Sequence, residues 1–466
     1  MLFNSFDYLV FFVLVFIAYS LARTVRSQNV LLLGASLFFY GFGGVRFVAL
    51  ILICSLTAYF AAVTIEGRPQ HARKATVVGI VVPLAILFVF KYFDFFIETF
   101  SGSLDAIGLS TSEITLRLAL PIGISFFTFQ SVGYVIDVRR GHTPAEHDLI
   151  DFLLFITFFP QLVAGPIERS HHLLPQLKKR RTIRDDDLGA GIFLIVQGLA
   201  KKILIADNMK PIVDTLFDLE GLSGPLIVAG LIGFTFQIYG DFSGYSDMAR
   251  GSARLLGFDL LENFHRPYWS RNPSEFWRRW HISLSNWFRD YVYIGLGGNR
   301  RGPSRVLVNL FLTMVLSGLW HGASANFILW GAFHGALLLV HRMWRQARPA
   351  KDGQLPQAVA RITMFAFTVY GWMLFRITEW DTITAYSRSL LTDFTQGSLA
   401  LITLTTLAPY IALSIVIDVM ESRFLPDGFG RIRVPIGFAG LTIAVLLFLT
   451  IIYGADSSGE FIYFKF

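Results

Sequence analysis

Apolar residues fill the chain in long blocks that short polar loops separate. Twelve blocks are long enough, or nearly long enough, to cross a bilayer as helices, which takes about 20 residues. They lie at about 8–22, 29–45, 47–65, 76–99, 118–137, 188–206, 224–247, 305–319, 325–341, 358–376, 403–420 and 434–453. The pattern predicts an all-helical, polytopic membrane protein.

The apolar stretch 149–167 does not fit a full crossing, because basic loops flank it on both sides. It carries Pro160 and Pro166. Irregular backbone at membrane depth is tolerated only where protein or a water-filled cavity covers it. We therefore predict a broken or re-entrant element here.

Composition agrees with the pattern and excludes several classes of protein. Of the 466 residues, 54% are hydrophobic and 16% are charged, whereas soluble domains carry about 25% charged residues. The net charge of +7 sits in the short loops, so it indicates membrane orientation and not nucleic-acid binding. The single cysteine, Cys54, excludes a disulfide within the chain and a cysteine-based metal site.

Loop charge predicts the orientation. The basic residues assigned to the cytoplasm are Arg23, Arg26, Arg68, Arg73, Lys74, Arg139, Arg140, Lys178, Lys179, Arg180, Arg181, Arg184, Arg342, Arg345, Arg348 and Lys351. The acidic loop 101–116 and the tail 454–466 are then outside. Twelve crossings place both termini outside the cytoplasm.

Motifs of soluble enzymes are missing. The sequence contains no GxxxxGK[ST] loop, no HExxH and no CxxC, and GDFSG at 240–244 does not match the GxSxG nucleophile elbow. Phosphate cradling and zinc hydrolysis are therefore not expected.

His321 is the first candidate for chemistry. It lies in SGLWHGAS (317–324), in the turn between two apolar segments. An ionisable group at such a place usually faces a cavity, and desolvation favours the neutral imidazole that a general base requires. Trp320 offers an N–H donor and a stacking surface, and Gly322 permits close approach of a substrate. The alternative is a histidine at the outer interface that bonds a neighbouring carbonyl.

His281 is the second candidate. It lies in the long polar insert 249–304, where arginines outnumber acidic residues and which we assign to the cytoplasmic side. Helical spacing places Trp277, Trp280, His281, Leu284 and Phe288 on one side, which predicts an amphipathic interfacial helix. A membrane-surface anchor explains the tryptophans and arginines, but it explains a histidine on the apolar side less well.

Two carboxylates, Asp241 and Asp247, lie near the cytoplasmic end of the span 224–247, with Ser243 between them. They could line a cavity, pair with nearby arginines, or act as buried polar contacts between helices.

Five strings occur in a fixed order and are densest over 235–335. They are GPIERS (165–170), QIYGDFSGYSDMARGSARLLGF (237–258), ENFHRPYWSRNPSEFWRRWHISLSNWFRDYVYIGLGGNR (262–300), WHGASANFILWGAFHG (320–335) and FIYFKF (461–466). Together they resemble the membrane-bound O-acyltransferase family, and within it the branch of bacterial alginate O-acetylation. The resemblance implies one domain over 1–466, with about twelve tilted helices in a ring around a central funnel or tunnel.

The resemblance also implies the chemistry. His321, in the WHG string, would be the principal catalytic residue and general base, and His281 the second functional histidine. Trp320, Gly322, Asp241 and Ser243 would support the oxyanion or position the substrate. The donor would be acetyl-CoA or an acyl carrier protein thioester, with no bound cofactor and no metal. The acceptor would be a hydroxyl of an extracytoplasmic polysaccharide or of a periplasmic partner protein, across a bacterial inner membrane.

Two other functions fit the residues. A transporter or flippase would also carry intramembrane ionisable groups and a broken apolar element. A non-catalytic scaffold for polysaccharide-modifying proteins would bind partners without depending on His321.

Overall fold

The computed structural model describes most of the chain. The described residues are 1–105, 115–116, 118–163, 165–347, 356–424, 436–455 and 461–462. Within these ranges all regular structure is helical, so the predicted helical class is confirmed. Part of the acidic loop 101–116, most of the tail 454–466, the end of the string 461–466, Arg348 and Lys351 lie outside the described residues.

The chain forms two compact units. The first comprises residues 1–187 and 252–261, and the second comprises residues 188–251 and 262–466. The single domain over 1–466 stays a prediction.

The first unit is built from helices that the predicted blocks anticipate. They are α1 (Phe6–Leu21), α2 (Val25–Gly41), α3 (Val45–Gly67), α4 (Ala72–Leu87), α5 (Phe93–Asp105), α6 (Ile124–Arg139), α7 (Leu149–Thr157), α8 (Phe159–Leu162) and α9 (Ser170–Leu177). A π-helical segment, Phe88–Tyr92, joins α4 to α5.

Polar side chains define where several of these helices begin. The hydroxyl of Ser5 accepts the N–H of Tyr8 ahead of α1, and Thr24 forms a capping box with Ser27 at the start of α2. Asp148 accepts the N–H groups of Ile150 and Asp151 at the start of α7. Such caps satisfy amide groups that have no partner within a helix.

The stretch 149–167 is broken, as predicted. Phe158 leaves the helical conformation (φ −49°, ψ 110°) between α7 and α8, and Pro160 lies in the first turn of α8. Phe158 and Phe159 are fully buried by protein. This cover supplies the environment that irregular backbone needs at membrane depth.

The second unit contains the remaining helices. They are α10 (Asp185–Leu199), α11 (Asp207–Phe217), α12 (Gly224–Leu255), α13 (Pro273–Trp277), α14 (Ile282–Trp287), α15 (Pro303–His321), α16 (Ala325–Ala347), α17 (Gln357–Arg376), α18 (Trp380–Thr392), α19 (Gly397–Phe424) and α20 (Ile436–Tyr453). Two π-helical segments, Ala200–Ala206 and Phe288–Tyr293, extend α10 and α14.

Seven helical stretches of the described chain are long and apolar enough to cross a membrane. They are Val45–Gly67, Pro69–Ser101, Asp185–Phe217, Gly224–Leu255, Pro303–His321, Gln357–Arg376 and Gly397–Glu421. Each of the twelve predicted blocks overlaps a helix, but several of those helices are shorter than a straight crossing requires. The chain is therefore a membrane protein.

Glycines bring α12 close to α10 and the segment that follows it. A Cβ atom on Gly244 would lie 2.7 Å from the carbonyl oxygen of Gly198, and one on Gly240 would lie 2.9 Å from that of Lys201. GDFSG (240–244) is thus a small-xxx-small helix contact. It sets the π-helical segment Ala200–Ala206 directly against the middle of α12.

Candidate active site

The hairpin of α15 and α16 positions His321. This residue ends α15, and α16 begins at Ala325, so the predicted turn is confirmed. Gly322 follows in an extended conformation (φ −166°), and a Cβ there would meet the ring of Phe327. Gly322 therefore lets Phe327 pack against the turn.

Aromatic rings enclose the imidazole of His321. Its ring centre lies 5.0 Å from that of Trp320, 5.0 Å from Trp330 and 5.4 Å from Phe375. The residue is 2% exposed. His321 is thus shielded from bulk water, and the cavity that the sequence predicts beside it stays a prediction.

His281 stands at a break between two short helices, so the single amphipathic helix predicted from spacing is wrong. Helix α13 ends at Trp277, and α14 begins at Ile282. His281 itself is left-handed (φ 42°, ψ 56°). This conformation costs a non-glycine residue roughly 1–2 kcal/mol, and such strain is typical of functional sites.

Tertiary hydrogen bonds hold this break in place. The N–H of Ile282 donates to the carbonyl of Asn263 at 2.9 Å, and the N–H of His265 donates to that of Arg279 at 2.9 Å. The segment 263–265 therefore bonds an amide group and a carbonyl group that would bond within the helix if the helix were continuous. Trp280 and His281 are fully buried, so a surface anchor does not describe this segment.

The two histidines contact the same indole. The ring of His281 lies 5.9 Å from that of Trp320, which lies 5.0 Å from His321. We call His281, Trp320, His321 and Trp330 the histidine–indole cluster. The polar insert 249–304 therefore contacts the end of α15.

Burial sets the protonation state of His281. It lowers the pKa of this imidazole to about 3, so the ring is neutral near pH 7. A neutral imidazole has one N–H donor and one acceptor nitrogen. His281 can therefore donate one hydrogen bond and accept another.

A third histidine belongs to the same aromatic layer. His334 lies 5.0 Å from Trp330 and 5.1 Å from Trp277, measured between ring centres. A Cβ on Gly371 would come within 2.8 Å of its Nε2 atom. His334 and Trp330 are four residues apart on α16, so both rings face the same layer.

Asp241 and Ser243 lie on α12, close to a buried lysine. The Nζ atom of Lys202 donates to Asp241 and to Asp207, both at 2.7 Å. The other oxygen of Asp241 accepts the N–H of Ile462 at 2.7 Å. Ser243 is buried, and its Oγ has no hydrogen-bond partner among the described residues. Asp241 thus makes a buried polar contact with a lysine, which agrees with the alternative of buried polar contacts between helices.

The neighbouring lysine forms a second buried network. Lys201 donates to Asp247 at 2.8 Å and to Glu421 at 2.7 Å. Neither Lys201 nor Lys202 was among the functional residues predicted from the sequence. Their signal is nevertheless present, because two adjacent lysines interrupt an apolar span and each needs a buried counter-charge.

A cavity of about 900 Å³ adjoins Asp241, and we call it the Arg376 cavity. Its wall includes Lys202, Asp241, Arg376 and Ile462. Arg376 is held there by Asp214 at 2.9 Å and lies over the rings of Phe217 and Phe234. Phe375, the preceding residue, packs on His321. No group of three or more His, Cys, Asp or Glu side chains in the described ranges could hold a metal ion.

Known proteins resemble this chain over most of its length. A sequence model described as MBOAT, membrane-bound O-acyltransferase family, matches residues 49–379. The protein named Probable alginate O-acetylase AlgI of Azotobacter vinelandii is 40% identical over 385 residues, which are 82% of this chain and 76% of the relative. Its namesake from Pseudomonas aeruginosa is 41% identical over 380 residues, 81% and 72% of the two chains. The peptidoglycan O-acetyltransferase of Helicobacter pylori is 35% identical over 391 residues, 78% and 73% of the two chains.

Proposed function

Because the chain belongs to the membrane-bound O-acyltransferase family, we propose that this O-acyltransferase moves an acetyl group across the membrane. The donor is a cytoplasmic thioester, and the acceptor is a hydroxyl of an extracytoplasmic polysaccharide or of a partner protein. The names of the relatives support this choice, because they describe O-acetylation of alginate and of peptidoglycan.

One observation carries the proposal. Two buried histidines, one from the break between α13 and α14 and one from the end of α15, both contact the indole of Trp320. A site for acyl transfer needs a base and an oxyanion donor at one carbonyl. The imidazoles of His281 and His321 and the indole N–H of Trp320 would supply both kinds of group within this cluster.

In the proposed reaction, His321 removes the proton of the acceptor hydroxyl. The oxygen then attacks the thioester carbonyl, and the negative charge on the carbonyl oxygen receives hydrogen bonds from His281 or from the N–H of Trp320. Collapse of the tetrahedral intermediate breaks the C–S bond and forms the ester. The proton on His321 passes to the departing thiolate, so the thiol leaves neutral and the base is restored.

The charge of the insert 249–304 guides the donor that we propose and the side from which each substrate enters. Acetyl-CoA is the first choice of donor, and an acyl carrier protein is the second. Both are anionic and suit the arginine-rich insert 249–304 on the cytoplasmic side. The acceptor would enter from the other side through the Arg376 cavity. The ring of about twelve helices around a funnel, the inner-membrane location and the outward position of both termini belong to this proposal.

Transfer by purified protein tests the proposal. The full chain in nanodiscs is incubated with radiolabelled acetyl-CoA, or with an acetylated carrier protein, and candidate glycans. We expect His321→Gln to lower the rate by about 10²–10⁴-fold, the usual contribution of a positioned base. The matched control is His341→Gln, which changes a partly exposed histidine on α16 outside the cluster.

Thermal melts of both variants separate chemistry from folding. Full transfer by a correctly folded His321→Gln protein would contradict the enzyme mechanism and favour the scaffold. Movement of an unmodified solute or lipid that depends on His321, without acylation, would favour the transporter.

A further inference from the structure

The pair Phe461–Ile462 is anchored beside the histidine–indole cluster, and we propose that Lys202 and Asp241 form a latch that holds it there. Both residues are positioning residues: they act on the cluster through Phe461 and Phe242. The latch itself does not depend on the proposed reaction, whereas its effect on transfer does.

The polar half of the latch is a main-chain contact. Asp241 accepts the N–H of Ile462 through one oxygen and Lys202 through the other, each at 2.7 Å. Both side chains are almost fully buried. A carboxylate that is almost fully buried needs donors for its oxygens, because burial removes most of the water that would otherwise bond them. Ile462 therefore completes the hydrogen bonding of Asp241.

Two donors share the carboxylate of Asp241. The ammonium group of Lys202 is divided between the carboxylates of Asp207 and Asp241. It bonds one oxygen of Asp241, and the N–H of Ile462 bonds the other. The N–H of Ile462 therefore adds to the shared ammonium as a donor to this buried carboxylate.

The apolar half of the latch connects the pair to His281. Phe461 is fully buried and lies 4.6 Å from Tyr245 and 5.5 Å from Phe242, measured between ring centres. The ring of Phe242 lies 4.7 Å from that of His281. Phe242, adjacent to Asp241 on α12, thus packs between Phe461 and the strained histidine.

The ammonium group of Lys202 supports both halves. Its Nζ atom lies 5.5 Å from the ring centre of Tyr245, on which Phe461 packs. Replacing Lys202 therefore removes the counter-charge of Asp241 and a cation–π contact behind Phe461. Lys202, Asp241 and Ile462 also line the Arg376 cavity, so a released pair would be accessible from that cavity.

Lys201 supplies a matched control. It is the adjacent residue of the same π-helical segment, is also buried, and also bridges two carboxylates, Asp247 and Glu421. Lys201→Met therefore breaks an equivalent buried ion network that does not include Ile462.

Cysteine labelling at position 462 tests the latch. Ile462→Cys keeps the main-chain N–H and is made in a Cys54→Ala background, which removes the single native cysteine. Full-length protein in nanodiscs is treated with a maleimide, and the labelling rate is measured. We expect Lys202→Met and Asp241→Asn to raise that rate about tenfold or more, whereas Lys201→Met should leave it near the parent value.

The outcomes separate the latch from general loosening. Equal labelling of parent, Lys202→Met and Asp241→Asn, or equal acceleration by Lys201→Met, would overturn the latch. Lys202→Arg keeps the charge and should restore slow labelling, so a poorly folding Lys202→Met protein does not end the test. Labelling requires no transfer activity, and its result stands even if the proposed reaction proves wrong.

Discussion

His281 shows at the scale of one residue how chemistry and backbone geometry are combined. Its left-handed conformation interrupts a helix and turns its ring into a layer of aromatic side chains. Its burial keeps the ring neutral. A histidine in a regular helix would continue the surface of α13, whereas this one lies 5.9 Å from the indole that His321 also contacts.

Glycine and alanine at position 281 should differ in stability. Both substitutions remove the same ring, but alanine retains the cost of a left-handed Cβ and is also the poorer N-cap residue. We expect His281→Gly to be more stable than His281→Ala by about 1 kcal/mol, the reverse of their order within a helix. Denaturation in the same detergent measures the difference. A more stable alanine variant would contradict the left-handed conformation.

At the scale of elements, the contact between α12 and the segment Ala200–Ala206 organises the second unit. Glycines allow the backbones to approach, and the π-helical turn carries both buried lysines toward carboxylates on α12. π-Helical segments are frequent at functional sites because one added residue changes the direction of side chains. The close contact and the charge pairing therefore depend on each other.

A methyl group at the α12 contact should be destabilising. In Gly244→Ala, the new Cβ would lie 2.7 Å from the carbonyl of Gly198 and 3.0 Å from the N atom of Lys202, both main-chain atoms that cannot rotate away. We expect a loss of about 1–3 kcal/mol. The control is Gly189→Ala in α10, where no atom lies within 4 Å of the new Cβ; thermal melting should show it neutral or slightly stabilised. Equal melting of the two variants would show that the helices are farther apart.

At the scale of the whole molecule, loop charge and helix order together predict the membrane topology. The basic loops are predicted to be cytoplasmic, and the two ends of each crossing helix would then face opposite compartments. By this count the connection between α17 and α18 would be outside. It carries Glu379, and Asp381 follows in the first turn of α18; both residues line the Arg376 cavity. The cavity would then be on the acceptor side.

Labelling of intact cells tests that orientation. In the Cys54→Ala background, an impermeant maleimide should modify Asp381→Cys from outside, because this exposed residue follows an outward crossing. Lys179→Cys, in an exposed part of a basic loop, should react only after the membrane is permeabilised. The reverse pattern would place the Arg376 cavity on the donor side and contradict the proposed entry of the acceptor.

Local sequence was sufficient to predict most of the helices and the hairpin turn that holds His321. Twelve apolar blocks overlap helices, the stretch 149–167 is broken, and His321 lies in the turn of a hairpin. These features depend on hydrophobicity, proline and glycine within a few turns of chain. The sequence reveals these features because each segment in the bilayer must satisfy its own backbone hydrogen bonds, independently of the other segments.

Contacts between distant residues decided the rest. The break at His281 depends on hydrogen bonds to 263–265, and the partners of Lys202 include Asp241 and, through it, Ile462. Helical periodicity therefore predicted one amphipathic helix where two short ones form. The sequence by itself determined which segments avoid water and which side chains can exchange protons. Only the tertiary structure decided which of those side chains meet, because pairing energies between remote residues leave no periodic signal in the chain.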